Sequence, residues 1–202
     1  MNPETGPAGT ALGARRTSPV QARILRSTIA VGVGAIVVAL AAQVVVPVPF
    51  SPVPMTLQPL AVLAVGGLLG AAGGLSALVL YLLLGILGLP VFAGGGSGAW
   101  HLLGPTGGYL LAFPVAAAVT GALARSVPAA HGPRVVLRVL LSCALGMAII
   151  HAGGVAQLAL LGGNPSVAFR VGFVPFLTGD LLKVGLAAAL ILAAGPKIRS
   201  LL

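Results

Sequence analysis

The chain has 202 residues, 58% of them hydrophobic and only 6% charged, with a net charge of +9. An ordinary globular domain carries about 25% charged residues, so this composition excludes a water-soluble domain. The basic residues sit at the ends of apolar runs instead of forming a stripe interleaved with aromatics, which argues against a nucleic-acid surface.

Residues 1–22 are rich in Gly, Pro, Ala, Thr and Arg without an apolar period, and read as a disordered tail ahead of a membrane domain at 23–202. Arg15-Arg16 does not read as a twin-arginine signal. Thr17-Ser18-Pro19 follow it, the next apolar run is too long for a signal segment, and further apolar runs come after.

The spacing predicts an all-α integral membrane protein with six transmembrane helices near 24–46, 57–73, 75–89, 107–125, 134–160 and 175–195. No Asp, Glu, Lys or Arg lies between Arg26 and Arg125, and each crossing takes about 20 apolar residues. The second and third helices are separated only by the Gly-rich run 66–74, read as a turn in preference to one long kinked helix. Gly66, Gly70 and Gly74 also have the four-residue spacing of closely packed helices.

Six crossings with both termini cytoplasmic place Arg15, Arg16, Arg23, Arg26, Arg125, Arg134, Arg138, Lys197 and Arg199 inside and only Arg170 outside. Three unusual loops then face outward. Pro47 to Thr56 alternates prolines along an extended path. Ala93 to Tyr109 is Gly-rich, so its backbone can approach a ligand closely. The third holds Gly162, Gly163, Asn164, Pro165 and Ser166 and leads to Pro175.

Asp180 and Lys183 stand in the last predicted helix, and the only other acid is Glu4. A charge at the bilayer centre costs roughly 2.5–3.5 kcal/mol on insertion scales, and residues three apart share a helix face. With the helix starting near Pro175, Asp180 lies ~7.5 Å and Lys183 ~12 Å in, under the outer loops. An ionised Asp accepts from N–H groups and Lys supplies donors, a pair suited to a small molecule bearing N–H and carbonyl or carboxylate groups. The alternative is a structural ion pair tying helices together.

Tyr109, just after Gly107-Gly108, is a candidate to bring its hydroxyl into the same cavity, with an interfacial belt position as the alternative. Gln58 can donate and accept there, or cap and bond between helices. Ser97, Trp100, His101 and Asn164 are secondary candidates, whereas His151 and Gln157 read as hydrogen-bonding glue between helices. Ala35 and Ala39 form a small-xxx-small pair that permits close docking of another helix, from this bundle or from a partner. No metal cluster, phosphate loop or Ser-His-Asp order stands out: Gly94-Gly95-Gly96-Ser97-Gly98 lacks the strand and the Lys of a P-loop. No cofactor is expected.

Four segments then occur in a familiar order: Val46-Pro47-Val48-Pro49-Phe50 leading to Pro54-Met55-Thr56-Leu57-Gln58, Gly88-Leu89-Pro90-Val91-Phe92, Gly104-Pro105-Thr106-Gly107-Gly108-Tyr109-Leu110, and Phe176 with Gly179-Asp180-Leu181-Leu182-Lys183. Over about residues 24–195 the chain resembles the BioY family, the biotin-specific substrate-binding (S) components of energy-coupling factor (ECF) transporters. The resemblance implies a six-helix S-component bundle in a prokaryotic cell membrane, holding biotin near the outer face with no catalysis. It makes the loop after the first helix a lid and the loop between the third and fourth a pocket wall. It also implies a transmembrane T subunit and two ABC-type ATPases as partners, with Ala35 and Ala39 meeting the T subunit.

The residue chemistry suits biotin, whose ureido ring carries two N–H donors and a carbonyl. Asp180 is expected to accept from a ureido N–H and Lys183 to donate to a ligand oxygen. Tyr109 and the backbone of Gly96, Ser97, Gly107 and Gly108 would complete the polar contacts, with Gln58 nearby and Phe92 and Met55 covering the rings. The competing functions are an S component for another vitamin or cofactor precursor, an intramembrane enzyme built on Asp180, Lys183, His101 and Ser97, and a structural membrane protein.

Overall fold

The computed structural model describes residues 18–125 and 132–201. Arg15, Arg16 and the rest of segment 1–17 lie outside the described residues, as does 126–131. The elements are α1 (Pro19–Ala42), β1 (Val45–Val46), β2 (Met55–Thr56), α2 (Gln58–Ile86), α3 (Gly107–Arg125), α4 (Pro133–Gly162), α5 (Pro165–Gly172) and α6 (Leu177–Leu201). Short 3-10 turns occur at Ala93–Gly95, Ala99–Leu102 and Val174–Phe176.

Helix α1 starts inside the segment expected to be a tail. Ser18 accepts from the Gln21 N–H, the Gln21 side chain accepts from the Ser18 N–H, and Pro19 occupies the first helical position. This capping box satisfies two of the N–H groups a helix start leaves unpaired, a local start signal that outweighs the polar composition upstream. The helix ends at Ala42, four residues short of expectation. Val45 and Val46 pair antiparallel with Thr56 and Met55, so the proline-rich stretch closes as a hairpin over the bundle.

Helix α2 covers both predicted second and third helices as one element, broken at Gly70 with φ 79° and ψ 179°. That left-handed backbone suits glycine. Residues 23 apart in one straight helix would stand about 35 Å from each other, yet the Gln58 amide nitrogen lies 2.7 Å from the Tyr81 hydroxyl. The chain therefore doubles back at Gly70. A Cβ on Gly74 would lie 2.8 Å from the Gly66 Cα and 3.2 Å from the Ala117 carbonyl oxygen, so the two halves and α3 meet through bare backbone.

Helix α2 packs on α1 and α3, α4 on α3, and α6 on α2 and α4, with the short α5 against α4. Among the described residues, five helical stretches are long and apolar enough to cross a membrane: Val20–Ala42, Gln58–Ile86, Gly107–Arg125, Pro133–Gly162 and Pro165–Ile198. Their outward faces carry exposed large apolar residues, including Ile24, Ile29, Val33, Ile36 and Leu40 on α1. Lipid tails are as apolar as leucine, so association rests on close packing through small residues. Gly108 meets the Gly153 carbonyl of α4 in this way.

Candidate functional site

Under the hairpin lies a cavity of about 230 Å³. Val53, Pro54 and Thr56 of the hairpin, Gln58 of α2, Phe92 and His101 of the α2–α3 connection, and Thr106 line one part. Tyr109 and Phe113 of α3, Ile150 and His151 of α4, and Phe176, Asp180 and Lys183 line the rest. Mostly apolar walls with a few convergent polar groups are the usual build of a small-molecule site.

The polar end is set by α6. One helical face presents Asp180 and Lys183, 5% and 6% exposed, with Lys183 Nζ donating to Asp180 Oδ1 at 2.8 Å. From α4, His151 Nε2 stands 2.6 Å from Asp180 Oδ2. Both carboxylate oxygens are thus engaged, each with a further lone pair. Asp180 and Lys183 share one helix face as expected, their ion pair is common to the site reading and to the structural alternative, and the expected glue residue His151 joins it from α4. A signal for this was readable: an imidazole in an apolar span needs a partner, and Asp180 is the only acid within the predicted spans.

Tyr109 lines the cavity, but its hydroxyl donates to the Gly172 carbonyl at 2.6 Å, tying α3 to the end of α5. The hydroxyl proton is thus engaged by the α5 backbone. Gln58 also lines the cavity while bracing the hairpin: its amide donates to Tyr81 and accepts from Thr56 at 3.1 Å, and Tyr81 donates on to the Val91 carbonyl. Phe92 meets Tyr81 edge-on at 5.7 Å and forms a wall as expected.

Gly96, Ser97, Gly107 and Gly108 are not among the residues that line this cavity. The Ser97 carbonyl instead lies 2.6 Å from Trp100 Nε1, which donates to it, and 2.8 Å from His101 Nδ1. Gly96 backs onto the His101 ring, Gly107 onto the Leu102 carbonyl, and Gly108 onto α4. These glycines serve close packing that orients the wall behind them. Met55 sits beside Gly179, outside the lining, and Trp100 is 70% exposed. Asn164 caps α5 by accepting from the Ser166 and Val167 N–H groups, and Gln157 donates to the Leu102 and Gly104 carbonyls.

Ala35 is 1% exposed and belongs to the chain's own core, with Ala39 packed against that core. The spacing does bring helices close, but at Ala35 the neighbour comes from this bundle. Thr106, Phe113, Ile150 and Phe176 were not singled out as site residues, because apolar and hydroxyl residues are too common in membrane helices to mark a cavity by type.

Known proteins resemble this chain in sequence and in fold. The family profile described as "BioY family" matches residues 9–200. The "Probable biotin transporter BioY" of Pyrococcus horikoshii is 40% identical over 146 residues, covering 72% of this chain and 82% of that protein. The "Biotin transporter BioY" of Thermotoga maritima is 41% identical over 145 residues, with the same coverages of 72% and 82%. A crystal structure of the S-component for biotin from an ECF-type ABC transporter superposes with a TM-score of 0.78 at 24% identity, covering 88% of this chain and 93% of that one. The chain belongs to the BioY family.

Proposed function

We propose that this chain is the biotin-binding membrane subunit of an ECF-type uptake system in a prokaryotic cell membrane. The observation that carries it is the buried Asp180–Lys183–His151 group at one end of an aromatic-walled cavity beneath the hairpin. With Asp180 ionised, Lys183 charged and the imidazole neutral, that group has no net charge. It therefore suits the uncharged ureido end of biotin, one N–H of which donates to Asp180 while Lys183 donates to the ureido oxygen. Phe92, Phe113, Phe176 and the Tyr109 ring cover the bicycle. The carboxylate tail runs toward the half-buried Thr106 and His101 of the α2–α3 connection.

Six crossings with both termini cytoplasmic is the topology we favour, each half of α2 being one short crossing. The reversal at Gly70 supports it, because a Cβ there would lie 2.6 Å from the Arg125 side chain, which brings the turn to the same side as a basic residue. The tail before Ser18 then starts inside the cell. A T subunit and two ATPases would power uptake, since no phosphate-binding loop is readable in this chain. Contact with the T subunit through α1 would use its open face, with Ala39 at the edge of that face and Ala35 behind it.

Equilibrium biotin binding to the detergent-purified chain tests the reading. Saturable one-to-one binding, unmatched by a panel of other vitamins, is expected. Absence of biotin binding, or tighter binding of another vitamin, refutes it.

A further inference from the structure

His151 lines the cavity, and the binding scheme above gives it no contact with the ligand. With Asp180 ionised, as its pairing with the Lys183 ammonium favours, the carboxylate can only accept, and Lys183 can only donate. The proton in the 2.6 Å contact with Oδ2 must then sit on His151 Nε2. The other ring nitrogen, Nδ1, is buried and has no hydrogen-bond partner among the described residues. A second proton there would lack an acceptor and give the group a net positive charge inside the bilayer, a costly arrangement. The imidazole is thus neutral with its proton on Nε2. Its plane is held by Phe173, edge-on at 4.9 Å, and by Tyr109, edge-on at 6.1 Å.

We propose that His151 is a positioning residue for ligand recognition: its Nε2–H pins Asp180 Oδ2, so that the carboxylate keeps a lone pair facing the cavity for a ligand N–H. Lys183 alone cannot do this. It sits on the same helix one turn away, and its flexible ammonium can draw both oxygens to itself once the opposing donor is gone. The donor from α4 opposes that rotation and holds the acceptor on the cavity side. The inference rests on the reading that Asp180 receives a ureido N–H.

The test is biotin calorimetry on the full purified chain carrying His151→Phe, His151→Gln, Asp180→Asn, or Asp180→Asn with His151→Phe. Phenylalanine keeps the ring packing and removes the donor, so a weakening of about tenfold or more is expected, the scale of a hydrogen bond to a charged group. Glutamine reaches the same oxygen with an amide N–H and should restore most of that loss. In the Asp180→Asn background, His151→Phe should change affinity by no more than about twofold, because its effect passes through Asp180. Full wild-type affinity of His151→Phe, or losses that simply multiply in the double variant, overturns the positioning role while biotin binding stands. A wild-type chain that does not bind biotin overturns both. Should the Phe variant fail to fold, 15N resonances of the wild-type imidazole decide: a neutral ring protonated on Nε2 is expected, and an imidazolium or the Nδ1–H tautomer refutes the assignment.

Discussion

Replacing Asp180 and Lys183 singly and together separates what the pair does for stability from what it does for binding. The charges lie 2.8 Å apart and both residues are almost fully buried. At an effective dielectric of about 20 their attraction is about 6 kcal/mol, set against the desolvation of both ions. Asp180→Asn leaves the Lys183 ammonium buried without its counter-charge, and breaking one partner of such a pair costs about 3–5 kcal/mol. Replacing both by neutral groups of similar volume, as in Asp180→Asn with Lys183→Met, is close to neutral. Melting of the purified variants should therefore show a large drop for Asp180→Asn, with the double variant recovering most of it. Biotin should raise the melting temperature of the wild type and leave the double variant unmoved. If Asp180→Asn melts like the wild type, or the double variant still binds biotin at wild-type affinity, the electrostatic account of this site is wrong.

Tyr109→Phe removes the hydroxyl bonded to the Gly172 carbonyl but keeps the ring in the wall; it should lose about 0.5–1.5 kcal/mol of stability and leave biotin affinity within about threefold, since the amount lost comes from the α3–α5 tie. Gly70→Ala forces a left-handed backbone on a Cβ-bearing residue beside the Arg125 side chain. Thermal melting should show a loss of about 1–2 kcal/mol or more, and an unchanged melting temperature would contradict the tight reversal. Ser166→Cys, on the exposed start of α5, should react with a membrane-impermeant thiol reagent added to intact cells, whereas buried Cys143 should not. Labelling of Ser166→Cys only after lysis would invert the proposed orientation.

Much of the architecture was legible because the forces behind it are local. The charge-free interval before Arg125 must be apolar helices, whichever way they pack. Asp180 and Lys183 share a face because a helix repeats every 3.6 residues, so their pairing needs no knowledge of the rest of the bundle. The Gly-rich run after Val65 marked the chain reversal, although only the backbone identified Gly70 as the residue at which it turns. The helix start at Pro19 was also encoded locally, in Ser18 and Gln21, and was obscured by the composition of the tail.

Length and hydropathy, together with the i to i+3 spacing of two charges, determined by themselves that this is a helical membrane protein with a polar site near the start of its last helix. The tertiary structure alone decided which groups complete that site. It brought His151 to Asp180 across 29 residues, turned the Tyr109 hydroxyl to Gly172, and used Gly107 and Gly108 for packing behind the wall. Spacing along one helix determines the face a side chain occupies, but the partner on that face depends on the rotation and depth of the neighbouring helix. Those are settled by how small residues let the helices approach.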